Sequence, residues 1–193
     1  MHPLKNIVIA NVGEFLFPRP VPGSEARMEL IEHIFADHAL CWAGDDSLVI
    51  TQFPSHEAFV NDLCRILGYH NVQVATPLQV SGSLCENIVA DTHLFPFLVE
   101  TLRCSPNAQI VFCGATRQLY ALLDRLRQER VEFQAPDLPF REHYGIVPYL
   151  DSKVGFHEFC LKLGSRCPDL LIPAGWICET VEQAIQTAAT LIA

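Results

Sequence analysis

The sequence predicts an α/β protein built on a doubly wound, Rossmann-like parallel β-sheet. Short apolar runs that end in polar residues or glycine recur along the chain, as expected of parallel strands buried on both faces. Segments with apolar residues three and four positions apart, typical of amphipathic helices, separate these runs. Because strand and helix alternate, right-handed crossovers should leave the strands parallel, with helices on both faces of the sheet.

Several short runs before residue 134 have the character of buried strands. Asn11 and Gly13 end the first run, and Asp45 and Asp46 precede the second. A strand that is buried on both faces does not alternate between apolar and polar residues. Such strands are therefore predicted from the length of the apolar run and from the polar residues that flank it. The predicted strands cover residues 5–11, 47–51, 71–75, 108–113 and 131–133.

The segments between these strands are predicted as helices with recognisable starts and stops. Ser24 and Ser55 are predicted N-caps, because a serine hydroxyl accepts hydrogen bonds from the amides of the first turn. Gly68 ends the second helix, since glycine readily adopts the left-handed conformation found there. Three prolines predict a loop over residues 17–23. The predicted helices cover residues 24–36, 55–67, 91–103 and 116–129.

A change of composition predicts a second unit. Residues 135–148 are rich in Pro, Glu, His and Arg and are interpreted as a linker between residues 1–134 and residues 149–193. Thr180 and Gln183 match a capping box at the start of a closing helix. Before that helix, the second unit is predicted to contain a helix over residues 152–163 and a strand over residues 175–178.

The composition excludes several classes of function. A net charge of −9, with 13 basic residues scattered singly, disfavours nucleic-acid binding, which needs clustered lysines and arginines. No apolar run approaches the roughly 18 residues of a membrane span, and no signal-peptide core follows Met1, so a cytoplasmic protein is expected. The eight cysteines form no C-x-x-C pair, so reduced thiols and no metal site are expected.

An apolar share of 50% and a mean hydropathy of +0.21 are high beside a charged share of 18%. Either the sheet is buried on both faces, or an apolar surface meets something else.

The second unit carries the most informative motifs. An Asp151-Ser152-Lys153 turn opens an amphipathic helix, and a Pro173-x-Gly175 segment follows about 20 residues later. At about 100° per residue, Lys153 and His157 lie beside each other on one rim of the helix. Both side chains can therefore point at the same ligand.

From Asp46 to Ala193 the chain resembles the pre-ATP-grasp domain of ATP-grasp carboxylate–amine ligases, a group that includes peptide ligases of natural-product pathways. The resemblance depends on the order and spacing of several motifs rather than on any single one. These motifs are Asp46-Ser47-Leu48-Val49-Ile50, Leu67-Gly68, the helix at 92–103 with its following strand and Leu-rich helix, Asp151-Ser152-Lys153-x-x-Phe156, and Pro173-x-Gly175.

The resemblance implies ATP-dependent amide formation, in which ATP phosphorylates a carboxylate and an amine attacks the acyl phosphate. It implies that Lys153 contacts the ATP phosphates and that His157, where the family usually has Arg, lines the same site. A solvated lysine and a surface histidine are the alternatives.

The family's glycine-rich loop, second lysine and magnesium-binding Glu and Asn normally lie beyond the position of Ala193. By this resemblance the chain is a truncated ligase that uses ATP with magnesium. It is expected to be inactive without the ATP-grasp catalytic portion or a partner subunit.

Gly114 opens a second candidate site in the first unit. Gly114-Ala115-Thr116 follows a predicted strand, where ligands of open α/β sheets bind and where backbone amides at a helix start favour anions. A plain strand-to-helix turn is the alternative.

Two further functions stay open for the whole chain. One is a stand-alone module that binds a nucleotide or another small molecule. The other is an interaction subunit that forms a homodimer through its closing helix.

Overall fold

Four parallel strands form the central sheet, in the order β3-β2-β1-β4. The computed structural model describes residues 3–16 and 25–192, so the predicted loop at 17–23 and the predicted cap Ser24 lie outside the described residues. The strands are β1 (Asn6–Ile9), β2 (Ser47–Ile50), β3 (Val72–Ala75) and β4 (Gln109–Phe112). The predicted α/β class with a parallel sheet is therefore confirmed.

The central strand β1 sets the register of the sheet. Asn6 pairs with Ser47 of β2 on one side and with Gln109 of β4 on the other. Every residue of β2 is buried, and so are Ile7, Val8 and Ile9 of β1. Continuous burial explains why these strands read as unbroken apolar runs in the sequence.

Helices cover the sheet and form the second part of the chain. The chain divides into two units, Met1–Leu138 and Pro139–Ala193. The helices of the first unit are α1 (Val12–Leu16), α2 (Glu25–Asp37), α3 (Ala39–Trp42), α4 (Glu57–Leu67), α5 (Leu84–Ala90), α6 (Leu94–Cys104) and α7 (Arg117–Gln128). Those of the second unit are α8 (Ile146–Asp151), α9 (Lys153–Gly164) and α10 (Val181–Ile192), preceded by a 3-10 turn at Arg141–His143.

Two of the predicted strands are wrong. After α7 the backbone turns at Arg130, whose φ of 57° is left-handed, and Val131 enters the core. Only Gln134 reaches β4, where it forms one parallel bridge with Gln109, so residues 131–133 form no strand. Residues 175–178 form none either, because no strand of the described second unit lies beside them to complete a ladder.

Local signals placed the longer helices well but missed details. His56, not Ser55, is the N-cap of α4, while the Ser55 hydroxyl donates to Asp37. The helices α1, α3, α5 and α8 contain only four to seven residues and were not predicted. A helix of one or two turns is too short to show an apolar period. Residues 135–148, interpreted as a linker, include the 3-10 turn and the start of α8.

The apolar core lies in the first unit. Its fully buried side chains come from β1, β2, β4 and helices α3, α5, α6 and α7, and they include Ile7, Leu48, Ile88, Leu98 and Leu122. Among the described residues of the second unit only Gly155 is buried. None of the helices in residues 3–16 and 25–192 has the length and apolar character that crossing a membrane requires.

The amino end of the sheet is fastened by two aspartates that precede β2. Asp45 Oδ1 accepts hydrogen bonds from the backbone N–H groups of Asn71, His70 and Asp46, at 2.8, 2.8 and 3.0 Å. These hydrogen bonds lower the pKa of Asp45 below its ordinary value of 3.8, and the bond from the Asn71 N–H has the largest effect. Asp46 pairs with Lys5, with 2.7 Å between Oδ2 and Nζ. One carboxylate thus ties the start of β2 to the start of β3.

We predict that Asp45→Asn flattens the acid limb of the stability curve. Because folding lowers the pKa of Asp45, its ionised carboxylate stabilises the folded state at pH values above 3.8. This stabilisation is lost as the pH falls below 3.8 and passes through the lowered pKa of the folded state. Urea midpoints measured from neutral pH downward should show a lower midpoint for the variant at neutral pH and a shallower fall with acid. Asp137→Asn, at an exposed carboxylate, is the control. Equal slopes in the wild type and Asp45→Asn would contradict the prediction.

Candidate functional site

The carboxyl end of the sheet has its switch point between β1 and β4. The chain runs from β1 to β2 on one side, and β4 is added on the other side of β1. Ligands of open parallel sheets bind at such points, outside the carboxyl ends of the strands. The predicted residue Gly114 lies there, two residues after the end of β4.

Asn11, two residues after the end of β1, joins the two loops at this switch point. Its Oδ1 accepts hydrogen bonds from the N–H groups of Cys113 (2.9 Å) and Gly114 (3.3 Å), and its Nδ2 donates to the Gly114 carbonyl (2.8 Å). In this structure these two amides of the Gly114 turn bind the protein's own side chain. The anion site at Gly114 stays a prediction.

Glu14 of α1 occupies the centre of the same switch point. Its Oε1 accepts hydrogen bonds from the Thr116 hydroxyl (2.6 Å), the Asn11 amide (2.9 Å) and the Cys85 thiol (3.0 Å). Its Oε2 accepts the backbone N–H of Cys85 at 3.2 Å. Since Thr116 also caps α7, the carboxylate joins α1 to the starts of α5 and α7. Only 9% of Glu14 is exposed.

Two glycines permit α1 to pack this closely. A methyl group at Gly114 would overlap the Phe15 ring, and one at Gly13 would overlap the Glu32 carboxyl group. Burial raises the pKa of Glu32, and the nearby Glu14 charge raises it further. The carboxyl end of β1 is thus filled by α1 and carries two acidic side chains.

The second unit brings together two of the motifs on which the resemblance depends. Ser152 caps α9, because its Oγ accepts the Gly155 N–H (2.9 Å) and donates to the Tyr149 carbonyl (2.8 Å). The half-buried His157 ring lies against Gly175, where a methyl group would come within 3.0 Å of ring Cε1. Lys153 is exposed in the first turn of α9. Helix α9 and the Pro173-x-Gly175 segment are therefore neighbours.

Sequence reasoning missed the residues that form the hydrogen-bond network at the switch point near Gly114. Glu14 and Cys85 are 71 positions apart, and Asn11 and Gly114 are 103 apart, so no local pattern connects them. The available signal was a buried strand that ends directly in a polar residue, Asn11. Within residues 3–16 and 25–192, no group of three or more His, Cys, Asp or Glu side chains is placed to hold a metal ion. All eight cysteines lie in the described residues and each is a thiol.

The fold and these contacts define the class of the first unit, a parallel α/β unit whose switch point is closed by its own α1. Comparison with models of protein families, with curated proteins and with solved structures finds no match to this chain.

We predict that Glu14→Gln destabilises the first unit by about 1–3 kcal/mol, the usual consequence of leaving a buried polar group unsatisfied. The amide group of the glutamine can be placed in two orientations, and in both its NH2 group replaces an oxygen that accepts a hydrogen bond in the wild type. At least one donor of the network therefore faces another donor. Denaturant unfolding measures the change. Glu132→Gln, an exposed glutamate, is the matched control, and equal stability of the two variants would show that the switch-point network contributes nothing.

Proposed function

We propose that the chain is the N-terminal portion of an ATP-grasp ligase, which joins a carboxylate to an amine through an acyl phosphate. In this proposal the first unit is the pre-ATP-grasp domain, and the second unit is the beginning of the ATP-grasp domain. The remaining catalytic machinery belongs to further polypeptide, either continuous with this chain or in a partner subunit.

The observation that carries the proposal is the exposed apolar surface of the second unit. Large apolar side chains of α9, α10 and the segment between them face water. Leu171 is 94% exposed and Val181 70% exposed. Fully burying one such side chain contributes about 1.5–3 kcal/mol. A unit that leaves its apolar side chains in water needs further polypeptide to cover them, as the first elements of a larger domain would.

The neighbouring motifs of the second unit support an ATP site. Lys153 lies in the first turn of the Ser152-capped helix, and His157 lies one turn later against Gly175. A cation at a helix start is mildly unfavourable, because both it and the helix end carry positive charge. A phosphate bound nearby removes this penalty and pairs with the lysine. We therefore assign phosphate binding to Lys153 and place His157 at the rim of the same site.

The residues of this chain supply only part of the proposed site. One exposed lysine, Lys153, and the start of the Ser152-capped helix are groups that can contact the phosphates of ATP. Magnesium does not fit the described residues, because they contain no group of acidic side chains that could hold a metal ion. The proposal therefore assigns the magnesium ligands, and the stabilisation of charge on the transferring phosphoryl group, to the further polypeptide. The chain alone is expected to be inactive.

The test uses the protein together with the polypeptide encoded after Ala193 or beside its gene. This protein should release ADP only when both a carboxylate and an amine are supplied. Lys153→Ala should weaken ATP binding roughly tenfold to a hundredfold, since a hydrogen bond to a charged group contributes about 1.5–3 kcal/mol.

The matched control is Lys162→Ala, at an exposed lysine in the last turn of the same helix. It should bind ATP as the wild type does. Equal ATP affinity in the two variants would overturn the role of Lys153. The ligase proposal fails if no downstream or neighbouring sequence supplies a glycine-rich loop and acidic metal ligands.

A further inference from the structure

The first unit contains a cavity that neither the switch point nor the proposed ATP site uses. Its volume is about 190 Å³, comparable to about six water molecules in the liquid. It lies between residues 78–81, which follow β3, and the end of α5 with the two residues after it. It therefore opens beyond the carboxyl end of β3, the side of a parallel sheet at which ligands bind.

The wall of the cavity is held in place by two buried amide side chains. Asn87 Oδ1 accepts the N–H groups of Ser81 and Gly82, each at 3.1 Å. Asn87 Nδ2 donates to the Gly82 carbonyl (2.9 Å) and to Gln52 Oε1 (3.2 Å), while Gln52 Nε2 donates to the same carbonyl (2.9 Å). A loop fixed at this many points keeps the cavity open before a ligand arrives.

Asp91 supplies a charged group with an unused acceptor position. Its Oδ1 accepts the N–H groups of His93 and Leu94, both at 2.8 Å, and its Oδ2 accepts that of Leu78 at 2.6 Å. A carboxylate has about four lone-pair positions, so one remains on Oδ2. These hydrogen bonds lower the pKa of Asp91, and the bond from the Leu78 N–H has the largest effect. The Asp91 carboxyl group is therefore ionised at neutral pH. Within the described part of the chain, no lysine or arginine pairs with it.

The rest of the lining suits a small amphipathic molecule. The Gln79 amide and the Thr92 hydroxyl are exposed, and no side chain or backbone group among the described residues hydrogen-bonds to either. Leu78, 74% exposed, and Ala90 offer apolar surface beside them. The cavity thus combines one anion, two polar groups open to a ligand and a short apolar wall.

We propose that this cavity binds a small primary amine, whose ammonium group donates a hydrogen bond to Asp91 Oδ2. Its carbon chain lies along Leu78 and Ala90, and a hydroxyl or carbonyl group at its other end bonds to Gln79 or Thr92. Although His93 interacts electrostatically with Asp91, no lysine or arginine pairs with this carboxylate, and it binds an ammonium more strongly than a neutral donor because the hydrogen bond is charge-assisted. The proposal is independent of the ligase assignment, since every group it uses lies in the unit Met1–Leu138.

The test compares 3-aminopropanol with propane-1,3-diol, which has the same size and lacks the ammonium group. Each is titrated into the full chain at constant pH and ionic strength, and the amide signals of residues 78–94 are followed by NMR. The amine should give saturable shifts with a millimolar dissociation constant, at least tenfold below that for the diol.

Two variants locate the binding. Asp91→Asn should lose at least tenfold in affinity for the amine, and Ala90→Leu should abolish binding by filling the cavity. Ala90 is exposed, so Ala90→Leu should leave the fold intact. This variant therefore still tests the site if Asp91→Asn destabilises the protein. Ala121→Leu, at an exposed alanine of α7, is the matched control and should bind normally.

Three outcomes would overturn the proposal. Equal affinity for the diol would show that the ammonium is not recognised. Unchanged binding in Ala90→Leu would place the site elsewhere. The absence of saturable shifts with the amine would show that the cavity takes no such ligand.

Discussion

Burial of apolar surface is the constraint on which the account of this chain depends, and the two units meet it differently. In the first unit, helices cover the sheet, and every residue of β2 and Ile7, Val8 and Ile9 of β1 are buried. In the second unit, α9 and α10 keep large apolar side chains in contact with solvent, and only Gly155 is buried among its described residues. The first unit has the core of a stable domain, whereas the second leaves an apolar surface exposed to water, which our ligase proposal assigns to contact with further polypeptide.

Polar groups determine where the carboxyl end of the first unit is closed and where it is open. At the β1/β4 switch point, Glu14 accepts four hydrogen bonds and Asn11 binds the amides of the adjacent loop, so all of these groups are used within the protein. Beyond β3, Asp91 keeps an unused acceptor position beside an open cavity. The strand order alone favours a ligand site at the β1/β4 switch point. Because the polar groups there are already bonded, our candidate small-molecule site lies beyond β3 instead.

The sequence predicted the elements whose signal is local and long enough to recognise. The four strands of the sheet and helices such as α4, α7 and α9 combine clear apolar patterns with recognisable ends, and all are present. Residues 131–133 and 175–178 have the composition of strands, but a strand also requires a neighbouring backbone, which no local pattern reports. For the candidate sites, the sequence indicated Lys153, His157 and Gly114. It did not indicate Glu14, Cys85 and Asp91, whose roles depend on contacts formed only in the folded chain.

Native-state hydrogen exchange on this chain tests the central claim most directly, because amide protection reports how much free energy holds each element closed. We predict that the amides of β1 and β2 exchange only by global unfolding. Those of α9 and α10 should exchange several orders of magnitude faster, and our proposal predicts that they become protected in the presence of the further polypeptide that it invokes. Equal protection of α9, α10 and the central strands in the chain alone would show that the second unit is already complete, and would contradict the account.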